Sequence, residues 1–166
     1  MLNPVEQLAK LADEKARKVY LRQPINGVWK EYTFNDVYRE ALQMGAALNK
    51  FGVKGKNIAI LSKNCASWII SDYAIWMSGA VSVPFLPTYS LETLEKIIQH
   101  SEVSVIFCGK LDNWSAIKKI IPANITCISY PDFPLEGCTR SDEFIAGNPN
   151  PQFSPVKKAP TELTTI

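Results

Sequence analysis

Residues 57–87, NIAILSKNCASWIISDYAIWMSGAVSVPFLP, contain the pattern that decides the fold. The apolar run of residues 58–61 between polar neighbours is typical of a buried strand. Residues 65–80 are then apolar on nearly every side of a helix. Residues 81–83 begin a second strand that leads into Pro84 and Pro87 and should stop at these prolines. Strand, buried helix and strand form a βαβ unit with a right-handed crossover. The side chains that we expect the helix to lay on the sheet are Trp68, Ile69, Tyr73 and Trp76.

A helix and a hairpin are predicted before this unit. Residues 3–19 carry apolar side chains at helical spacing, with Asn3 as the cap and Pro4 in the first position. Residues 19–32 are typical of two strands around a turn, where Asn26-Gly27 supplies residues that tolerate positive φ. The amino-terminal part of the chain is therefore expected to be a helix followed by a β-hairpin.

Helices and strands alternate in the rest of the pattern. A helix begins at Thr33, with Asp36 completing a capping box, and ends at Gly52. The later elements are a helix capped by Ser90, a strand over residues 103–108, a helix over residues 111–121 and a last strand over residues 125–129. Such alternation predicts an α/β fold with a mainly parallel sheet covered on both faces.

The composition changes after Tyr130. Prolines are interleaved with polar residues from there to the end, and residues 141–146 alone resemble a helical turn. We therefore predict an α/β domain over residues 1–130 and a proline-rich connector over residues 131–166.

Composition and charge exclude several classes of function. The net charge of +2 is too weak to indicate nucleic acid or an anionic membrane as a partner. The amino terminus lacks the apolar core of a signal peptide, and residues 66–86 contain Asp72 and several small polar residues, so no transmembrane segment is expected. The four cysteines show no CxxC pair and no neighbouring histidine. Their spacing predicts reduced thiols in a cytosolic protein rather than a zinc or redox site.

Reactive side chains are scarce. His100, the one histidine, lies near a helix end, where it should help to satisfy terminal carbonyls rather than act as a base. Asp72 could be an acid with a shifted pKa, but a structural carboxylate paired with a hydroxyl or backbone amide is the stronger interpretation.

Residues 52–56 contain a Gly-Lys pair but not the full phosphate-loop pattern, so they are predicted to end a helix. The four tryptophans (Trp29, Trp68, Trp76 and Trp114) are interpreted as core. We expect no catalytic, cofactor-binding or metal-binding residue in this chain.

Short motifs follow one another in a fixed order along the sequence. They are Ser-Lys-Asn at 62–64 with Trp68, Gly-Ala-Val at 79–81, Val-Pro at 83–84, Pro-Thr at 87–88, His-Ser-Glu at 100–102 and Gly-Lys-Leu-Asp at 109–112. Together they resemble the amino-terminal region of long-chain fatty acyl-CoA synthetases, which belong to the adenylate-forming (AMP-binding) enzyme superfamily. The resemblance runs from about Asn3 to Ile166, and residues 90–114 favour the long-chain acyl branch.

This resemblance implies a function for a complete relative. ATP and a fatty acid would give an acyl-adenylate and pyrophosphate, and the acyl group would then pass to coenzyme A. The chemistry needs a phosphate-binding loop, Mg²⁺ and a lysine, which in the family lie beyond a segment like residues 162–166. We therefore expect an amino-terminal fragment of a ligase, from a truncated product or a split reading frame, that binds no cofactor and is inactive alone. Its location would be cytoplasmic, with peripheral membrane association left open.

Two other hypotheses remain open. The chain could be a non-catalytic binding or regulatory module that pairs with a synthetase, with a separately encoded remainder or with a second copy of itself. It could instead be an unrelated flavodoxin-like nucleotide-binding domain. The latter needs a phosphate-binding loop at the end of a strand, and the loops after Leu61, Phe85 and Cys108 offer no convincing one.

Overall fold

The computed structural model describes residues 2–158, 162 and 164–166 and confirms the α/β fold. Within these residues the helices are α1 (Pro4–Glu14), α2 (Phe34–Phe51), α3 (Ala66–Ser78), α4 (Leu91–His100), α5 (Trp114–Ile120) and α6 (Ser141–Gly147). The strands are β1 (Val19–Ile25), β2 (Val28–Thr33), β3 (Asn57–Ser62), β4 (Val81–Phe85), β5 (Val105–Gly109), β6 (Thr126–Ser129) and β7 (Thr139–Arg140).

The main sheet of the described residues is entirely parallel. Its strands lie in the order β4-β3-β5-β6-β7, while β1 and β2 form a separate antiparallel hairpin. From β3, the chain continues to β4 on one side and then to β5 on the other, so the strand order reverses between β3 and β5. Doubly wound folds have the same reversal, and they bind ligands there, beyond the carboxyl ends of the strands. The β4 edge is extended by the last residues, because the Ser82 amide donates to the Thr164 carbonyl (2.8 Å) and the Ile166 amide to the Ser82 carbonyl (3.0 Å).

Both faces of the sheet are covered. Alternate side chains of a strand point to opposite faces, so Ile58 and Ile60 join the core formed with α1, α2, α3 and α6. Ala59 and Leu61 join a second core formed with α4 and α5. This double burial explains why the run of residues 58–61 is apolar without alternation.

Local signals set the helix ends and the hairpin turn as predicted. Asn3 and Thr33 each form a capping box, with Glu6 and Asp36 as their partners. Gly52 ends α2 in the left-handed region at φ 88°, which confirms that residues 52–56 are a helix end. The first helix nevertheless ends at Glu14 instead of reaching residue 19.

The face of α3 that meets the sheet differs from the prediction. Its buried side chains are Ala66, Ile70, Ser71, Ala74, Ile75, Met77 and Ser78. The expected residues Trp68, Ile69, Tyr73 and Trp76 are half-buried and lie outside that face. This buried face also meets α2 at close range, because a Cβ built on Gly45 would lie 3.1 Å from the Ala74 carbonyl oxygen. Strand β4 ends at Phe85, between Pro84 and Pro87, where the prolines were expected to stop it.

The segment after Tyr130 is packed on the same core. Residues 125–129 are not the last strand, because β7 pairs in parallel with β6. Phe144 of α6 is 5% exposed in the main core, and the Val156 amide donates to the Met77 carbonyl (2.8 Å). The domain boundary at residues 130 and 131 stays a prediction.

Among the described residues, no helix combines the length and the apolar character that crossing a bilayer requires.

Candidate functional site at the carboxyl edge of the sheet

An open crevice of about 440 Å³ lies where the strand order reverses. It is formed beyond the carboxyl ends of β3, β4 and β5, the place where open parallel sheets bind ligands. Its lining consists of Ser62, Lys63, Asn64, Trp68, Pro84, Phe85, Leu86, Pro87 and Lys110. The crevice therefore combines an apolar wall from the end of β4 with polar groups from the ends of β3 and β5.

The charged groups of the crevice are two lysines that have partners within the protein. Lys63 pairs with the carboxylate of Asp112. The Lys110 ammonium donates to the Asn64 carbonyl (3.4 Å) and lies 5.9 Å from the centre of the Phe133 ring. These contacts hold positive charge at the mouth of the crevice, where it would attract an anionic group.

The start of α3, which borders the crevice, is already occupied by a protein group. Cys65 precedes the helix without a side-chain cap, and the buried Gln23 of the hairpin accepts a hydrogen bond from the Ala66 amide (3.2 Å) instead. The Cys65 thiol lies 3.7 Å from the Ser62 hydroxyl oxygen. Burial raises the pKa of Cys65, so this thiol stays protonated at neutral pH and lacks the thiolate character of a nucleophile.

The described residues of this edge do not fit a magnesium–nucleotide complex. Its lining offers no carboxylate, whereas Mg²⁺ is held by oxygen ligands. The exposed helix start and glycine-rich amides that usually cradle phosphates are also lacking in the lining. The expectation that this chain contains no catalytic or cofactor-binding residue stays a prediction.

His100 lies away from the crevice, exposed in the last turn of α4. The carbonyls of this turn accept from Ser101 instead: its amide donates to Ile97 O (2.9 Å) and its hydroxyl to Ile98 O (3.3 Å). The expected role of His100 at these carbonyls is therefore filled by Ser101.

Asp72 is half-buried on α3 beside Ser82, which lies at the opposite end of β4 from the crevice. Burial raises the pKa of its carboxyl group, and the neighbouring Ser82 hydroxyl opposes that shift. Among the described residues, the Asp72 Oδ1 and Ser82 Oγ atoms are both buried without a hydrogen-bond partner. The expected pairing of this carboxylate with a hydroxyl is therefore not formed between these two atoms.

Two of the four tryptophans, Trp29 and Trp76, belong to neither core. Trp29 of the hairpin is 64% exposed. Trp68 packs on the core of α1, α2, α3 and α6, and Trp114 packs on that of α4 and α5. The indole of Trp76 donates to the Thr164 carbonyl (3.0 Å).

Three cysteines that are far apart in sequence meet on the α4–α5 face of the sheet. The sulfur atoms of Cys108, Cys127 and Cys138 lie within 4.8 Å of one another. The neighbouring thiols of Cys108 and then Cys138 lower the pKa of Cys127, and the Cys127 thiol raises the pKa of Cys108. Sequence spacing could not reveal this group, because each cysteine comes from a different strand region. The fourth, Cys65, lies in the core on the other face.

Comparisons with known proteins agree with this fold. The family model described as AMP-binding enzyme matches residues 8–166. The long-chain-fatty-acid–CoA ligase of Bacillus subtilis is 30% identical over 116 residues, which is 69% of this chain and 21% of the relative. Long chain acyl-CoA synthetase 5 of Arabidopsis thaliana is 38% identical over 81 residues, 48% of this chain and 12% of the relative. The chain thus spans between about an eighth and a fifth of the length of these two relatives.

Solved structures show the same fold at lower identity. Coronafacic acid ligase from Pectobacterium brasiliense has a TM-score of 0.83 at 21% identity, covering 99% of this chain and 33% of that one. The anthranilate CoA ligase in complex with anthranoyl-AMP has a TM-score of 0.81 at 22% identity, covering 99% of this chain and 31% of that one. Because the family model matches residues 8–166, which is nearly all of this chain, the chain belongs to the AMP-binding enzyme family.

Proposed function

We propose that this chain is the amino-terminal part of an ATP-dependent fatty acid–CoA ligase and that it has no ligase activity by itself. The observation that carries the proposal is the family match over residues 8–166. It is combined with similarity to a long-chain acyl-CoA synthetase and a long-chain-fatty-acid–CoA ligase that are several times longer than this chain. The lack of a magnesium or phosphate cradle at the carboxyl edge supports the second half of the proposal.

The role of the chain in such a ligase is to provide scaffold. The parallel sheet and the βαβ unit of β3, α3 and β4 hold the crevice at the carboxyl edge, and Lys63 and Lys110 supply positive charge there. The complete enzyme would use ATP, Mg²⁺ and coenzyme A with a fatty acid as substrate. It would work in the cytoplasm, with peripheral association to membranes where its substrate resides.

Exposed apolar side chains beside the crevice favour packing against further polypeptide. Leu86 is 53% exposed and Tyr89 39%, both in the connection from β4 to α4, and Leu91 at the start of α4 is 38% exposed. Such a patch next to a binding edge is typical of a surface that a partner covers. It also supports the second candidate function, a non-catalytic module that pairs with a synthetase or with a separately encoded remainder.

Two measurements test the proposal. The purified chain is assayed for fatty-acid-dependent exchange of pyrophosphate into ATP, with the Bacillus subtilis ligase as the positive control; we expect no exchange above the blank.

A chimera is then made in which this chain replaces the matching segment of that ligase. We expect the folded chimera to form long-chain acyl-CoA. A folded chimera without fatty-acid-dependent exchange would overturn the assignment to a ligase, and exchange by the chain alone would overturn its predicted inactivity.

The same preparations distinguish the second candidate. If the chimera is inactive but the chain binds the intact Bacillus ligase in a pull-down, the regulatory module becomes the better assignment.

A further inference from the structure

The sheet brings three thiols to one point by strand register. Ile106 pairs with Cys127 across β5 and β6, and Cys108 lies two residues beyond Ile106, on the same face. Ile128 pairs with Thr139 across β6 and β7. Cys127 of β6 and Cys138, directly before β7, each precede one member of this pair. The three sulfur atoms therefore come from three adjacent strand regions of a rigid parallel sheet rather than from a mobile loop.

The spacing of the sulfur atoms suits a metal ion. They lie within 4.8 Å of one another, and an ion about 2.3 Å from each of three thiolates would place them about 4 Å apart. Cys108 is fully buried, while Cys127 and Cys138 are half-buried, so an ion can enter from one side.

The turn that carries Cys138 is held in place. Its amide donates to the Leu135 carbonyl (3.2 Å), and the Trp114 indole donates to the Glu136 carbonyl (2.9 Å). The Lys118 ammonium comes so close to Gly137 that a Cβ built there would lie 2.7 Å from Nζ. Three thiolates around a divalent ion leave one net negative charge, which this ammonium would offset.

We propose that Cys108, Cys127 and Cys138 form a binding site for one thiophilic cation of the Zn²⁺, Cd²⁺ and Cu⁺ class. Soft thiolate ligands select these ions over Mg²⁺ and Ca²⁺. Each coordinating thiol releases its proton to solvent on binding. The half-open side leaves a position for water as a further ligand of Zn²⁺. The site is on the α4–α5 face and is independent of the ligase assignment.

The test uses the full chain, reduced by a phosphine under argon and free of metal. Cd²⁺ is titrated while the thiolate-to-cadmium charge-transfer absorption is recorded, and Zn²⁺ affinity is measured by competition with a chromophoric chelator. We expect saturation at one equivalent per chain and no displacement by millimolar Mg²⁺. Cys127→Ser and Cys138→Ser should each weaken Zn²⁺ binding by about tenfold or more. The matched control, Cys65→Ser, should bind as the unaltered chain does.

The substitutions are made at the half-buried Cys127 and Cys138 because a serine at the fully buried position 108 would disturb the core. Near-ultraviolet circular dichroism confirms that each variant is folded. Unaltered Zn²⁺ affinity in both folded variants would overturn the proposal. The proposal would also be overturned if all four thiols of the reduced chain react with a thiol reagent but Cd²⁺ produces no thiolate-to-cadmium charge-transfer absorption.

Discussion

At the level of single residues, the contact between Gly109 and Tyr130 shows how closely the sheet is packed. Gly109 ends β5, and Tyr130 follows β6 with its ring fully buried and stacked on Phe107 at 6.2 Å between ring centres. A Cβ built on Gly109 would lie 2.2 Å from one ring carbon of Tyr130. Glycine is required here by close approach, not by its backbone angle.

Gly109→Ala should therefore lower the free energy of unfolding by about 1–3 kcal/mol, the usual cost of overpacking a core. Urea unfolding followed by tryptophan fluorescence measures the change. Gly147→Ala is the matched control, because a Cβ at Gly147 meets nothing within 4 Å. Equal stability of the two variants would contradict the contact.

Asp72 gives a second prediction at this level, in the pH dependence of stability. Burial raises the pKa of its carboxyl group above the ordinary value of 3.8. The folded state then binds the proton more tightly than the unfolded chain does, so the stability contributed by this group falls as the pH rises from 3.8 through the folded-state pKa.

Asp72→Asn, which removes the charge, should be more stable than the unaltered chain at pH 7, and the difference should vanish below pH 3.8. Chemical denaturation at a series of pH values measures it, with Asp13→Asn on the exposed side of α1 as the control. A lower stability of Asp72→Asn at pH 7 would show that Ser82 stabilises the charged form more than burial disfavours it.

At the level of elements, the hairpin and α3 are joined by one buried side chain. Gln23 is 4% exposed; its Oε1 accepts from the Ala66 amide (3.2 Å) and its Nε2 donates to the Pro24 carbonyl (3.1 Å). The hairpin thus supplies the cap that Cys65 does not. This contact links residues that are 43 positions apart.

Gln23→Leu should cost about 1–3 kcal/mol of stability, because it leaves the buried Ala66 amide without its acceptor. Amide hydrogen exchange at Ala66 should accelerate in the same variant. Arg22→Ala is the control: it removes an exposed ion pair with Glu31, which is worth at most about 1 kcal/mol. If Gln23→Leu costs no more than this control, the cap is not energetically significant.

At the level of the whole molecule, residues 131–158 complete the core instead of trailing from it. Phe144 is buried, Phe153 packs on the same core, and the Lys158 ammonium donates to the Ala80 carbonyl (2.7 Å). Strand β7 also covers the edge of β6. A connector that could be removed without loss would make none of these contacts.

A chain of residues 1–130 should therefore be less stable than the full chain by at least about 3 kcal/mol, since removal of a buried Phe side chain alone costs about 3–5 kcal/mol. Thermal and urea unfolding of both chains measure the difference. Phe144→Ala in the full chain shows how much of it comes from α6. A chain of residues 1–130 as stable as the full one would support the proposed boundary between residues 130 and 131.

The sequence by itself determined the local elements and their class. The caps at Asn3 and Thr33, the turn at Asn26-Gly27 and the end of α2 at Gly52 each depend on a few neighbouring residues, and all occur as predicted. The alternation of elements gave the parallel, doubly covered sheet, and the order of short motifs gave the family. Each of these signals depends only on residues that are close together in the sequence, so it can be recognised without the tertiary structure.

Tertiary structure decided what depends on pairing between distant segments. The inward face of α3, the place of β7 in the sheet and the cap from Gln23 all follow from which elements lie beside one another. The meeting of Cys108, Cys127 and Cys138 is the clearest case, because it requires the register of β5, β6 and β7. No local pattern encodes that register, since it is set by the packing of the whole sheet between its two layers of helices.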